Sequence, residues 1–386
     1  MSNGAVRAPG LGRGAAALLA VAAAVLVLPA GATASGTATG QLAPSGSTDL
    51  EAVSCGSAND CWAVGLAGPQ TSDPSKVAID ETENGGSSWR AERVPVPDPT
   101  NLWGIACPTR LHCVAVGSSM THDGSLTGAV LVTTDGGRRW TWAGAPSGST
   151  DVPAVECTTA ADCLAVAGQG AGYWAATTTD GGESWQRAGT LPPGFGGPSG
   201  VVCTSGQVCM TAGYTASTPG KGSGAIAVSN DGGATWQAAA LPPGVGVLHD
   251  IACPGTLECI AVGTSSTSLT GVSEGRSNVL VSTDGGSAWT AAPAPDSVDD
   301  PFAVACPSFG TCATVGTTWT AAKPPSPEGG VATTSGEGSR WKPARARYVA
   351  AGLAAISCPA ADRCLAVGND LLVSIDLVPA QRVTRD

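Results

Sequence analysis

Residues 104–140 read GIACPTRLHCVAVGSSMTHDGSLTGAVLVTTDGGRRW. Four short elements are legible in this stretch. An apolar segment, Gly104-Ile105-Ala106, ends at Cys107. Five residues later Cys113 opens a second apolar run, Val114-Ala115-Val116-Gly117. A polar loop leads to a third run, Ala129-Val130-Leu131-Val132. That run ends in the turn Thr133-Thr134-Asp135-Gly136-Gly137, and a fourth segment leaves from Trp140. Short segments rich in Val and Ile, bounded by Gly, Pro and Asp, are the signature of strands and hairpins.

The pattern recurs along the chain. Cysteines pair as Cys55/Cys61, Cys107/Cys113, Cys157/Cys163, Cys203/Cys209, Cys253/Cys259, Cys306/Cys312 and Cys358/Cys364, always with five residues between them. First-cysteine intervals are 52, 50, 46, 50, 53 and 52 residues. A repeat of this length with four strand-like runs predicts a blade of a β-propeller. The expected fold is all-β: seven four-stranded antiparallel blades, starting near 50, 102, 152, 199, 248, 301 and 353. Each cysteine pair falls where a first strand turns into a second. Facing hairpin positions bring side chains close to disulfide geometry, so one local disulfide per blade is expected. Zinc sites favour closer cysteine spacings, usually with His, and the chain has only 3 His. No metal and no cofactor are expected.

Composition agrees and removes other classes. The 386 residues include 54 Gly, 28 Pro and 14 Cys, with 13% charged residues. A disordered chain would carry more charge and fewer apolar residues. The formal net charge of −11 offers nucleic acid no basic footprint. Residues 1–34 carry Arg7 and Arg13, an apolar run from Ala15 to Val27, and a small-residue site at Ala32-Thr33-Ala34, with an alternative at Ala30-Gly31-Ala32. This is the layout of a secretory signal peptide. The mature chain, 35–386, is expected to be secreted or cell-wall associated, with no membrane insertion after cleavage and as a monomer.

The turns carry a resemblance. TTDGGRRW (133–140), TTDGGESW (178–185), SNDGGATW (229–236) and STDGGSAW (282–289) resemble Asp-boxes, also called bacterial neuraminidase repeats. TENGGSSW (82–89) has Asn84 in place of the Asp, and TSGEGSRW (334–341) lacks the Asp but keeps the Trp. The Asp-box positions are Asn84, Trp89, Asp135, Trp140, Asp180, Trp185, Asp231, Trp236, Asp284, Trp289 and Trp341. The chain is similar to the Asp-box propellers of sialidases, photosystem II assembly factors and sortilin-type receptors. Seven units of this size look most like the assembly-factor group. The resemblance implies that these turns lie on the face away from the active sites of such enzymes.

The last unit has 22 residues after Cys364, short for a full blade. GQLAPSGSTDLEAVSC before Cys55 echoes TWAGAPSGSTDVPAVEC before Cys157. Residues Thr37–Leu42 are therefore expected to add the outer strand to the last blade, with Leu377–Val383 as the alternative.

Function is expected on the face opposite the Asp-box turns. Polar and aromatic residues cluster near the first strands of several units: Trp103, then His249 and Asp250, then Asp299, Asp300 and Phe302, then Arg345, Arg347 and Tyr348. One reading is a ligand site at the ring mouth; the other is a set of solvated loops with an Asp–Arg ion pair. No catalytic residue is assigned. A sialidase needs an arginine cluster and a Tyr nucleophile, and the Phe/Tyr-Arg-Ile-Pro motif of such enzymes is absent. No nucleophile elbow or phosphate loop is present. The expected function is a non-catalytic module that binds an extracellular protein or glycan. A sialidase-like or xyloglucanase-like glycoside hydrolase and a structural cell-surface component are the alternatives.

Overall fold

A computed structural model of the chain describes residues 37–377, apart from 45–48, 67–76, 93, 95, 97–99, 171, 219, 269–275, 309, 320–326, 336–339, 348–351 and 370. The signal-peptide reading of residues 1–34 and all but Leu377 of the alternative closing strand lie outside the described residues.

Seven sheets follow one another along the chain, antiparallel but for one parallel pair in the last. The second blade shows the plan. Its strands are Thr100–Ala106, Cys113–Met120, Leu126–Thr133 and Thr141–Ala143, hydrogen-bonded in chain order. Cys113–Met120 is buried through seven of its eight residues, because blades pack on both of its faces. That explains an apolar run with no polar alternation. The outermost strand has only three residues, Thr141–Ala143, and is mostly exposed. The first strand of every blade faces the ring axis.

The last blade contains Ala355–Ala360, Arg363–Gly368 and Leu371–Asp376. Thr37–Leu42 joins it antiparallel to Leu371–Asp376, with Thr37 facing Asp376 and Leu42 facing Leu371. The expected N-terminal closure is therefore present. Ala38 is buried against Val373 and Ile375 in one apolar cluster. A fifth strand departs from the expected four: Arg345–Arg347 pairs parallel to Thr37–Leu42. It is drawn from the connection between the sixth and seventh blades.

Every expected disulfide is formed within its own hairpin. The bridges are Cys55–Cys61, Cys107–Cys113, Cys157–Cys163, Cys203–Cys209, Cys253–Cys259, Cys306–Cys312 and Cys358–Cys364, with Cα–Cα distances from 3.9 to 4.1 Å. These bridges also reach into the core. The second cysteine of each pair is the first or second residue of the second strand, which is covered by blades on both faces, so it is also a core residue. Cys61, Cys209, Cys259 and Cys312 are all buried. Cys209 shares an apolar cluster with Trp236, Cys259 with Trp289, and Cys312 with Ile260 and Val262 of the preceding blade.

The Thr/Ser-x-Asp-Gly-Gly turns lie at the same end of the blades. Gly136 N–H, for example, donates to the carbonyl of Leu111 in the cysteine turn of the same blade. In the fourth blade Asp231 accepts the hydroxyl of Ser229 at 2.8 Å and the amide of Thr235 at 2.8 Å. The same bonds hold the second blade, where Asp135 accepts from Thr133 and Arg139. Asn84 reproduces the turn with its Oδ1, which accepts the Ser88 amide at 2.9 Å. Gly137 adopts φ 84°, and a Cβ there would meet Trp62 Nε1 at 2.5 Å, so both conformation and space call for glycine.

The turn tryptophans bind neighbouring blades together. Trp140 packs with Trp62 and Val64 of the first blade, and Trp236 with Leu164 and Val166 of the third. Trp89 packs with Val367 and Leu372 of the last blade, across the ring closure. Trp185, Trp236 and Trp289 also donate Nε1–H to the second glycine carbonyl of their own turns, at 3.0–3.1 Å.

The central channel as candidate functional site

The inner strands end at the first cysteine of each blade, so that cysteine gives a common count. In six blades the pairing between inner and second strand slips around the fourth residue before it. In four of these the slip is one residue, between Leu50 and Ala52, Leu102 and Gly104, Leu248 and Asp250, and Pro301 and Ala303. The extra residues are Glu51, Trp103, His249 and Phe302. A bulge frees its extra residue from the ladder and re-aims the side chain. All four line the channel, toward the end away from the disulfides. The His249 and Phe302 rings sit 5.0 Å apart, tilted by 51°.

One residue deeper, six blades carry Ala52, Gly104, Ala154, Gly200, Ala303 and Ala355, and the fifth carries Asp250. Small residues leave room where the seven strands converge. The Asp250 carboxylate spans three blades. Its Oδ1 accepts the Ile251 amide at 2.8 Å, and its Oδ2 accepts the Val304 amide of the sixth blade at 2.9 Å. A Cβ on Gly200 of the fourth blade would meet Oδ1 at 2.3 Å, so the glycine accommodates the carboxylate. Glu156 lies one residue before Cys157 and also lines the channel. The cavity encloses about 340 Å³.

Electrostatics follow from the lining. Its carboxyls are Glu51, Glu156 and Asp250, its one basic group is His249, and no Lys or Arg lines it among the described residues. Burial pushes the Asp250 carboxyl up to about 7, against the two amide bonds that favour its charged form. Burial pushes Glu156 up to about 7, with the charge of Asp250 adding to it. Burial pushes Glu51 up to about 6, with Asp49 adding. Carboxyls displaced toward neutrality inside a cleft are a recurring mark of functional sites.

The predicted site residues separate into groups. Trp103, His249, Asp250 and Phe302 come together in the channel. Asp300 is buried beside them, its Oδ1 3.4 Å from His249 Nε2. Asp299 turns to the far end of the second strand of its blade, Thr311–Trp319, where it accepts the Trp319 amide at 2.8 Å and the Thr318 hydroxyl at 3.1 Å. Arg345 and Arg347 do not join the mouth. They belong to the outermost strand of the last blade, because they precede Cys358 by 13 and 11 residues, while Phe302 precedes Cys306 by only four. Tyr348 lies outside the described residues. Sequence reasoning missed Glu51 and Glu156. Counting back from each first cysteine exposes both, since Glu51 aligns with Trp103 and His249, and Glu156 with Ala106 and Ala252.

Comparison with known proteins adds the fold. The ring is similar to that of YCF48. The structure of YCF48 bound to D1 peptide superposes with a TM-score of 0.61 at 14% identity, covering 90% of this chain and 99% of that one. YCF48 from Cyanidioschyzon merolae gives 0.58 at 13% identity, covering 88% and 98%. A streptogramin B lyase structure gives 0.60 at 10% identity, also covering 88% and 98%. Identities this low speak for the propeller alone, which hosts both binding proteins and enzymes. No protein-family model and no curated protein matches the sequence.

Proposed function

We propose that this protein is a secreted, non-catalytic propeller of the Asp-box type that binds an extracellular protein or glycan at the channel mouth. One observation carries the reading. Four inner-strand bulges turn Glu51, Trp103, His249 and Phe302 toward one opening, on a ring stapled in every blade. Rigid elements presenting partly exposed aromatic groups suit recognition at low entropic cost. A peptide is the favoured partner, because the structurally similar YCF48 is recorded with a peptide bound. The signal-like residues 1–34 and seven disulfides fit an oxidising compartment outside the cytoplasm.

The test is capture from culture supernatant on immobilised mature protein, followed by mass spectrometry, in parallel with a glycan array. Trp103→Ala with Phe302→Ala should abolish capture while leaving thermal unfolding nearly unchanged. Capture that ignores both substitutions would overturn the reading. The carboxyls near neutrality in the channel favour a second reading, general acid–base hydrolysis of a glycan. Turnover of a sialoside or xyloglucan panel, lost in Asp250→Asn, would establish it instead.

A further inference from the structure

The three channel carboxyls are staggered. Glu51, Asp250 and Glu156 lie four, three and one residues before the first cysteines of the first, fifth and third blades. At about 3.3 Å of rise per residue, they spread over about 10 Å of channel length. Asp250 takes only uncharged amide donors. Glu156 lines the cavity, is half-buried, and has no hydrogen-bond partner among the described residues. No three acidic, His or Cys side chains among the described residues lie close enough to hold one metal ion. The negative charge is drawn out along the axis, not gathered at a point.

An extended organic cation fits such a lining. Its charges would meet unpaired carboxylates, and its methylenes would lie along walls of Ala, Gly, Val and Ile. Trp103 and Phe302 at the entrance offer aromatic faces to a passing cation. We propose that the channel admits a linear aliphatic ammonium group, which enters past Trp103 and Phe302 and pairs with Asp250 and Glu156. A lysine side chain of a bound peptide and a free polyamine share this chemistry. The peptide source rests on the binding reading above; the polyamine source does not.

The experiment is titration calorimetry on the intact disulfide-bonded protein at pH 8, with spermidine and Nα-acetyl-lysine methylamide as separate probes. Saturable binding at one site is expected for at least one probe. Glu156→Gln should weaken it about tenfold, and lowering the pH to 5 should abolish it as the carboxyls take up protons. Asp180→Asn, on the disulfide end, should bind like the wild type. Binding of the lysine probe identifies a peptide source, and binding of spermidine alone identifies a free amine. If Glu156→Gln fails to fold, Asp250→Asn takes its place. No binding by either probe would overturn the proposal. So would binding indifferent to the channel substitutions, which reports only cations condensing on an acidic surface. If partner capture persists without amine binding, only the channel proposal falls. Amine binding without any partner captured upholds the channel and removes the peptide reading.

Discussion

The amide of Val304 donates to Asp250 Oδ2 at 2.9 Å, across the boundary between the fifth and sixth blades. Inner strands are sheet edges, and alternate amides on them point at the axis without a ladder partner. Asp250 satisfies one of these, at the cost of placing a carboxylate in a confined acidic channel. Its ionisation is therefore harder in the folded chain than in the unfolded one. The folded state binds more protons between the two pKa values, so stability falls as pH rises. The loss should begin near pH 4 and be complete above about pH 7, the value to which Asp250 is raised. Its size should be on the order of 2–4 kcal/mol. Denaturant unfolding at pH 5 and pH 8 measures it together with the contributions of Glu156 and Glu51, which are raised in the same sense, so Asp250→Asn should reduce the dependence without removing it. A wild-type stability that rises over this interval would contradict the account.

Disulfide removal should act blade by blade. Each bridge closes a loop of about seven residues, for which chain entropy gives about 2 kcal/mol, in a model-dependent way. Replacing Cys157 and Cys163 together by Ser should lower stability by at least about that amount and leave the remaining bridges intact. Peptide mapping without reduction should find every cysteine linked to the partner six positions away.

Ring closure is sensitive at Ala38, which is 1% exposed and packed against the last blade. Ala38→Glu places an unpaired charge in that contact and should cost about 3 kcal/mol or more. Loosening Thr37–Leu42 also bares the edge of Leu371–Asp376, an invitation to pair with another copy. Light scattering should show association that the wild type lacks.

The turn tryptophans should matter more than the turn carboxylates. Trp236 is 8% exposed and bridges the third and fourth blades, so Trp236→Ala should cost about 3–5 kcal/mol. Asp231 sits in a solvent-exposed turn, held below the usual carboxylate range by the Thr235 hydroxyl, the Thr235 amide and the Ser229 hydroxyl. Asp231→Ala should cost less, because water replaces most of what the turn loses. Thermal unfolding of the two variants gives the order directly.

Blade number, disulfide pairing and N-terminal closure were legible in the sequence because each rests on local spacing. Cys-x5-Cys forces a hairpin, and the echo of one linker in another revealed a strand shared across the ring. The burial of Cys61, Cys209, Cys259 and Cys312 was not read from that spacing, since it depends on the neighbouring blade. The fifth strand at Arg345–Arg347 was not legible either. It pairs with residues some 300 positions away, and nothing in a three-residue segment announces a parallel partner. The site was legible in part. Trp103, His249 and Phe302 stood out by residue type, but their common role came from bulges, which leave no mark in an apolar run. Glu51 and Glu156 were hidden because a single carboxylate beside a strand reads as solvent-facing. Only the convergence of seven strands makes those positions interior.

Thr37 and Asp376 face each other at the disulfide end of the last blade. Both ends of the described chain thus leave the ring from the same side, opposite the channel mouth. If either end is tethered, to a wall polymer or a fused domain, the molecule stands with its mouth turned outward. Tension applied between the two ends meets the antiparallel pair Thr37–Leu42 and Leu371–Asp376 end-on, one hydrogen bond at a time. Such a pair unzips where a sheared one would resist. The seam that completes the circle is then also its mechanical fuse: under load the last blade opens first, while the six others stay individually stapled.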